Sequence, residues 1–428
     1  MLGVALFGVG CDRAFVPVVP PDVRIVAPDD LDLARDTDSL DLTIEATSFR
    51  SVVDVRVGDT RFTRIAGTNR WSGRVGLSDG LNVLPLTAQD ADGVSGVDTA
   101  FAYRIALMTV ERPALPSARG GLTITRLPDG TLLAAGGSDA SGDAHSDAWT
   151  LAPNASTWQS VPDGMTRART GHTATLLSDG RVLIVGGSRR DALRDLSHLV
   201  ETVEAYDPTT GRFSQVALDG APILRTQHTA FFRLEQGVPV VELLGGRGNI
   251  DFLPSRRLGV REDVRTLAIR PGGVQALSPS GTTGQGQPIE PIEGHATVDV
   301  GTPAAPLFRT SGVAFAGGEV IRQAFAFSIV QDRLRPVATQ LPRVGRFRSA
   351  YAVGLQGEMW TTGGQLTPGV IAPNADLYVQ RARQSFGVAI EAGVFSAAGY
   401  SDGSGGLCIV GGFGTAGVVA RHACFTRR

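Results

Sequence analysis

The sequence predicts an all-β chain, a six-bladed propeller preceded by a small β-sandwich. Three features predict it. Gly makes up 54 and Pro 24 of the 428 residues, and long helical periodicity is hard to find, which is the composition of many short strands and turns. Gly-Gly pairs fall at 136/137, 186/187, 245/246, 317/318, 363/364 and 411/412, each closing a short apolar run, at intervals of about 50, 59, 72, 46 and 48 residues. Within one interval, Arg167–Val216, apolar runs at His172–Leu177, Arg181–Val185, Thr202–Tyr206 and Arg212–Val216 are separated by Ser178-Asp179-Gly180, by Gly186-Gly187 with a loop, and by Asp207-Pro208-Thr209-Thr210-Gly211. Four antiparallel strands in about 50 residues are one blade of a propeller.

At the N-terminus, the apolar run Met1–Gly10 ends in small residues just before Cys11. It resembles a bacterial lipoprotein signal, which implies removal of the run and acylation of Cys11. The match departs from that pattern in having Gly8 where Leu is usual and no basic residues ahead of the run. Asp12–Pro21, with its VPVVPP, reads as an extended tether. No apolar run reaches the ~18 residues of a transmembrane helix, so membrane attachment is expected through the lipid alone.

Residues 22–107 carry strand-like runs at Val23–Ala27, Leu40–Ala46, Val52–Val57, Phe62–Ile65, Trp71–Leu77, Asn82–Ala88 and Val97–Ile105. Val53, Val55 and Val57 alternate with polar residues, as in a strand with one buried face. Trp71 is the expected core anchor. The segment Leu77–Asn82 and the turn Asp90-Ala91-Asp92-Gly93 resemble the late strands of bacterial immunoglobulin-like modules, which implies a spacer domain.

Residues 108–428 hold the six blades. Arg-x-x-His, an apolar strand, Asp-Gly, a second apolar strand, Gly-Gly and then Tyr-Asp-Pro with a following aromatic resemble a kelch repeat. The third and fourth blades are the irregular ones, enlarged by the loop Arg247–Gly259 and separated by a linker over Ser278–Gly294. The last blade runs out of chain after its third strand, so Leu107–Glu111 is expected to supply its fourth and close the ring, removing the open edges. In that blade, counting outwards from a hairpin turn near Thr415–Gly417 sets Cys408 opposite Cys424, within bridging reach of each other.

Several residues could carry function. Arg119, Arg169, Arg225 and Arg346 recur about three residues before the first strand of four blades. Converging on one mouth of the channel they would suit carboxylates or phosphates; the competing reading is that they tie adjacent blades together. His172, His228 and His295 share one repeat position, which the kelch resemblance explains as hydrogen bonding to the neighbouring blade rather than as a metal site. His145, His198 and His422 show no ligand-like spacing. Galactose oxidase belongs to the resembling fold, but its copper site has no counterpart here residue by residue, and no cofactor is expected. No nucleophile elbow, phosphate loop or His-Glu-x-x-His is present. Net charge is −2, with all 40 basic residues Arg, which disfavours nucleic acid as a partner. The expectation is a cell-envelope lipoprotein, outer-membrane or surface, that binds a protein or glycan without catalysis. The alternative is a divergent galactose-oxidase-like or carbohydrate-active propeller enzyme.

Overall fold

The computed structural model describes residues 18–31, 33–191, 196–235, 237–249, 258–260, 264–277, 292–299, 307–316, 319–330, 333–336, 348–354, 358–367, 370–372, 375–379, 384–388 and 393–428. Among them the chain is all-β; the one helical element is the 3-10 turn Leu196–His198. It divides into two compact units, with the break after Arg104 and the segment 33–36 going to the larger unit. The break lies ahead of the 107/108 boundary read from the sequence, because Leu107–Glu111 is a strand of the larger unit.

The smaller unit has two four-stranded antiparallel sheets. One runs Asp22–Ala27, Ser39–Thr47, Arg70–Gly76, Thr63–Arg64; the other runs Thr60–Arg61, Val52–Val57, Gly80–Asp90, Ser95–Arg104. Residues of both share one core that includes Leu42, Ile44, Val55, Trp71, Leu86 and Ala88. The expected alternation through Val53, Val55 and Val57 holds only in part. The register shifts between Val52 and Asp54, which leaves Val53 52% exposed and brings Val52 to the buried face instead. A bulge of this kind sets two residues against one, so a side chain next to it changes face.

The larger unit is a propeller-type ring. Blade 1 is Thr123–Arg126, Leu132–Ala135, Ala148–Leu151, Gln159–Ser160; blade 2 is Thr173–Leu176, Val182–Val185, Val203–Asp207, Arg212–Asp219. Blade 3 is Thr229–Glu235, Val238–Leu244, Val264–Arg270, Gly273–Ala276, and blade 4 is Ile292–Asp299, Leu307–Ala316, Glu319–Val330, Arg333–Pro336. Blade 5 is Ala350–Val353, Met359–Thr362, Ala375–Val379, Gln384–Val388. Blade 6 takes Ala398–Ser401, Leu407–Val410 and His422–Arg427 from the chain's end and Leu107–Glu111 from the start of the unit. First strands of consecutive blades neighbour one another from blade 1 to blade 6 and back to blade 1.

Closure is built as the missing fourth strand requires. Glu111, Val110 and Thr109 pair with Ala423, Cys424 and Phe425. Beyond the pairing, Arg112 N–H donates to His422 O (2.8 Å) and Leu115 N–H to Ala420 O (2.9 Å). Both the Trp158 indole (2.8 Å) and His422 Nδ1 (3.2 Å) reach Pro113 O. A carbonyl only accepts, so Nδ1 carries the proton and Nε2 accepts from the Tyr400 hydroxyl at 2.7 Å. Burial pushes the Tyr400 phenol up to about 12 and His422 down to about 4, so both stay neutral. Cys408 and Cys424 lie directly opposite on the second and third strands and are joined by a disulfide.

Two irregularities differ from the sequence reading. The linker over Ser278–Gly294 is shorter than expected, since its last residues begin the strand Ile292–Asp299; residues 278–291 are outside the described set. The loop Arg247–Gly259 is partly ordered as strand, with Arg247–Asn249 pairing both Arg225–Thr226 and Leu258–Val260. The outermost strands of blades 2 and 3 also pair, in parallel, through Ala217↔Gly273, Leu218↔Val274 and Asp219↔Gln275. This merges the two blades into one eight-stranded sheet and covers two edges that would otherwise stand open.

Candidate functional site: the channel mouth

The joints between blades explain the glycine pairs. Gly137 N–H donates to Arg169 O (2.9 Å), Gly187 to Arg225 O (2.9 Å), Gly364 to Val394 O (2.9 Å) and Gly412 to Arg119 O (2.7 Å), each carbonyl belonging to the next blade. A Cβ on Gly136 or Gly186 would stand 2.5 Å from that carbonyl, so the first glycine of each pair is required by the approach of the neighbouring backbone.

Three of the four sequence-selected arginines belong to these joints, and they do not form an open cationic rim. Arg169 is fully buried. Its Nη1 donates to Gly186 O (2.9 Å) and Thr202 O (3.0 Å), and its Nη2 to Thr202 Oγ1 (2.9 Å) and to the Glu204 carboxylate, which is itself buried. Burial pulls its pKa down and Glu204 opposes the pull. Arg119 donates to Ser117 Oγ, Ala118 O and Asp147 Oδ2, and lies over the Trp149 ring. Arg225 donates to the carbonyls of Gly245 and Leu243. A guanidinium removed from water needs such partners, and donors used inside a joint are not offered to a ligand. Arg346 lies outside the described residues, as does Cys11.

The histidines also serve the joints. His172 Nε2 is 3.0 Å from Thr123 Oγ1 in blade 1, and His228 Nε2 is 3.1 Å from Thr173 Oγ1 in blade 2. Burial, then the nearby Arg169 charge, pushes His172 down to about 3, so the imidazole is neutral. His295 sits in the first strand of blade 4. Among the described residues no group of three or more His, Cys, Asp or Glu is placed to hold a metal ion.

The position two residues after the joint residue, arginine in blades 1–3 and Val394 in blade 6, forms the mouth itself. Gly121, Gly171, Gln227, Arg348 and Ser396 all have left-handed backbone, with φ of 66°, 63°, 55°, 55° and 53°. They are linked blade to blade by backbone hydrogen bonds. Ser396 N–H donates to Arg348 O (2.8 Å), Gly121 to Ser396 O (2.7 Å), Gly171 to Gly121 O (2.9 Å) and Gln227 to Gly171 O (2.7 Å). This collar surrounds a cavity of about 180 Å³ lined by the starts of the first strands of blades 1, 2, 3, 5 and 6.

Over this cavity Arg348 meets Asp191. Its Nη1 donates to both carboxylate oxygens at 2.9 Å and to Ser396 Oγ at 3.4 Å. With its amide turned to satisfy both groups, Gln227 accepts from Arg348 Nε (3.2 Å) and Nη2. Asp191 follows the second strand of blade 2, so the ion pair joins opposite sides of the ring. Asp191 is positioned from blade 1: its N–H donates to Gly142 O (2.9 Å), and the adjacent Arg190 pairs with Asp143 at 2.8 Å. Asp139 shapes that blade 1 loop. The hydrogen bond to His145 first, with those from the Ser141 and Asp143 N–H groups, holds its carboxyl below the usual range.

Sequence reasoning did not select Arg348, Asp191, Gln227 or Ser396. The signal was present in the repeat alignment: where blades 1 and 2 carry glycine, blades 3, 5 and 6 carry Gln, Arg and Ser. Substituting a left-handed glycine by a polar side chain is unfavourable for the backbone alone, and so points to a use for the side chain.

A family model for the Kelch motif matches residues 169–217, which is blade 2 with its joint. A search of the curated proteins gives no match to the chain. The all-β topology and the ring of four-stranded blades make a propeller-type fold, and the matched motif fits a kelch-type propeller.

Proposed function

We propose that the chain is a non-catalytic binding protein of the cell envelope. On this reading Cys11 carries a lipid anchor, residues 22–107 form an immunoglobulin-like spacer, and the propeller presents its channel mouth to a protein or glycan. The observation that carries it is the collar, where polar side chains from three blades and a loop of a fourth converge at one end of a kelch-type ring. Kelch-type propellers supply a rigid frame and hold recognition groups at the strand ends and loops. The disulfide between Cys408 and Cys424 suits an oxidising compartment. The apolar run ahead of Cys11 suits export and acylation, and acyl chains on Cys11 would hold the protein to the envelope by partitioning into the membrane.

Two measurements on producing cells test this. Metabolic labelling with a palmitate analogue should mark the native chain and not the Cys11→Ala variant; an unmodified Cys11 in the mature chain rejects the anchor. A photo-crosslinking residue at Ser141 or Arg190, beside the channel mouth, should give a discrete adduct at the cell surface, while one at Thr60 in the smaller unit should not. Absence of any adduct at the mouth positions rejects the binding role for this face.

A further inference from the structure

The side chains of the collar also define a class of ligand, an inference that rests on the binding-module reading and deepens it. Charge decides first. The Arg348 guanidinium and Asp191 carboxylate are 2.9 Å apart, and their side chains are 14% and 25% exposed. As a unit they are neutral. An anion drawn to Arg348 would meet Asp191 at almost the same distance, and a cation drawn to Asp191 would meet Arg348. Arg119, Arg169 and Arg225, which could have made this end cationic, are held inside the joints. Among the described residues the mouth therefore favours a ligand without net charge.

Hydrogen-bonding chemistry narrows the class. Asp191 only accepts, the Gln227 amide N–H groups donate and the Ser396 hydroxyl does both, while the Arg348 guanidinium is engaged by Asp191, Ser396 and the Gln227 carbonyl. Hydroxyls of Thr123 and Thr173, already engaged with imidazoles, add further lone pairs to the cavity wall. Donor and acceptor side by side match two hydroxyls on adjacent carbons, each of which gives one proton and accepts another. Size is compatible with it: the cavity of about 180 Å³ admits a ligand of one ring.

We infer that the channel mouth binds one neutral sugar ring, with vicinal hydroxyls held between the Asp191 carboxylate and the Gln227 amide N–H groups, both oriented by Arg348. The left-handed backbone at Gln227, Arg348 and Ser396 is the conformational cost of placing those side chains over the cavity.

The test uses the full chain and saturation-transfer NMR with four probes: the methyl glycosides of glucose, galactose and mannose, and methyl glucuronide. At least one neutral glycoside should bind, and the glucuronide should bind about tenfold more weakly, as expected for loss of one good polar contact. Gln227→Gly should weaken the neutral ligand by about tenfold while leaving the melting temperature unchanged or higher, an outcome that a structural role would not produce. Asp191→Asn should remove the bias against the glucuronide. Preference of the wild type for the glucuronide, no binding of any neutral glycoside, or unchanged affinity in Gln227→Gly would each overturn the inference. The surface cross-link at Ser141 or Arg190 needs no sugar probe, so the broader binding role stands or falls on a separate result.

Discussion

The collar is built in two ways around one ring. In blades 1 and 2 the left-handed position is glycine, and the reason is local. A Cβ on Gly121 would collide with Thr170 Oγ1 of blade 2, and one on Gly171 would come within 2.6 Å of Thr226 Oγ1 of blade 3. Those threonines bond the carbonyls of the preceding blade, as Thr226 does to Gly171 O at 3.2 Å. In blades 3, 5 and 6 the same position is Gln227, Arg348 and Ser396. Next to Ser396 the residue in the place of Thr170 is Gly120, which has no side chain, so a Cβ is accommodated. One half of the collar is architecture, and the other half spends backbone comfort on side chains over the cavity.

Arginine shows the same division. Arg169 and Arg348 lie two repeat positions apart, one in the joint and one at the mouth. Arg169 and Glu204 are both fully buried, whereas Arg348 and Asp191 remain partly in reach of water. Replacing Arg169 by Met would leave the Glu204 carboxylate buried without its cation and should destabilise the propeller by about 3–5 kcal/mol. Replacing Arg348 by Met should cost no more than about 1 kcal/mol, because Asp191 can hydrate. Urea unfolding of the two variants reads the difference. Equal losses would show that Arg348 is also part of the frame, which would break the comparison.

Acid should destabilise the propeller through its buried histidines. His172 and His422 have folded values of about 3 and about 4, both below the ordinary 6.5. The unfolded chain therefore takes up protons that the folded chain excludes. Stability is complete above about pH 6.5 and falls as pH drops from there towards 4, by up to ~1.4 kcal/mol per pH unit for each histidine. Melting temperatures from pH 7 to pH 4 should show this decline, and His172→Gln should make it shallower. A pH-independent melting temperature over that range would contradict the neutral, buried assignment of His172.

The smallest effect is a paired exchange at the collar. Gly171→Ala should lose about 1–2 kcal/mol from the left-handed backbone alone, with a further loss from the Thr226 contact. Gln227→Gly should be neutral or stabilising by about 0.5–1 kcal/mol, since it relieves the same conformation. Thermal melts of the two variants side by side measure the exchange. A clear destabilisation by Gln227→Gly would make Gln227 structural and align blade 3 with blades 1 and 2.

Much of the fold is determined by the sequence alone, because the signals that specify it are local and repeated. Gly-Gly after a short apolar run, Asp-Gly between two such runs and the turn at Asp207–Gly211 act within a few residues, and six recurrences locate six blades. The closing strand and the disulfide followed from counting strands. What only the tertiary structure decided depends on neighbours far away in the chain. The Val52–Asp54 bulge depends on pairing with Gln89 and Asp90, and the parallel pairing of blades 2 and 3 depends on two edges meeting. Whether an arginine ties a joint or faces a channel depends on what lies opposite it. Arg169 meets Glu204 across its own blade, while Arg348 meets Asp191 from the far side of the ring. That second pairing spans 157 residues and has no local signature, since the ring's closure alone brings those two side chains together.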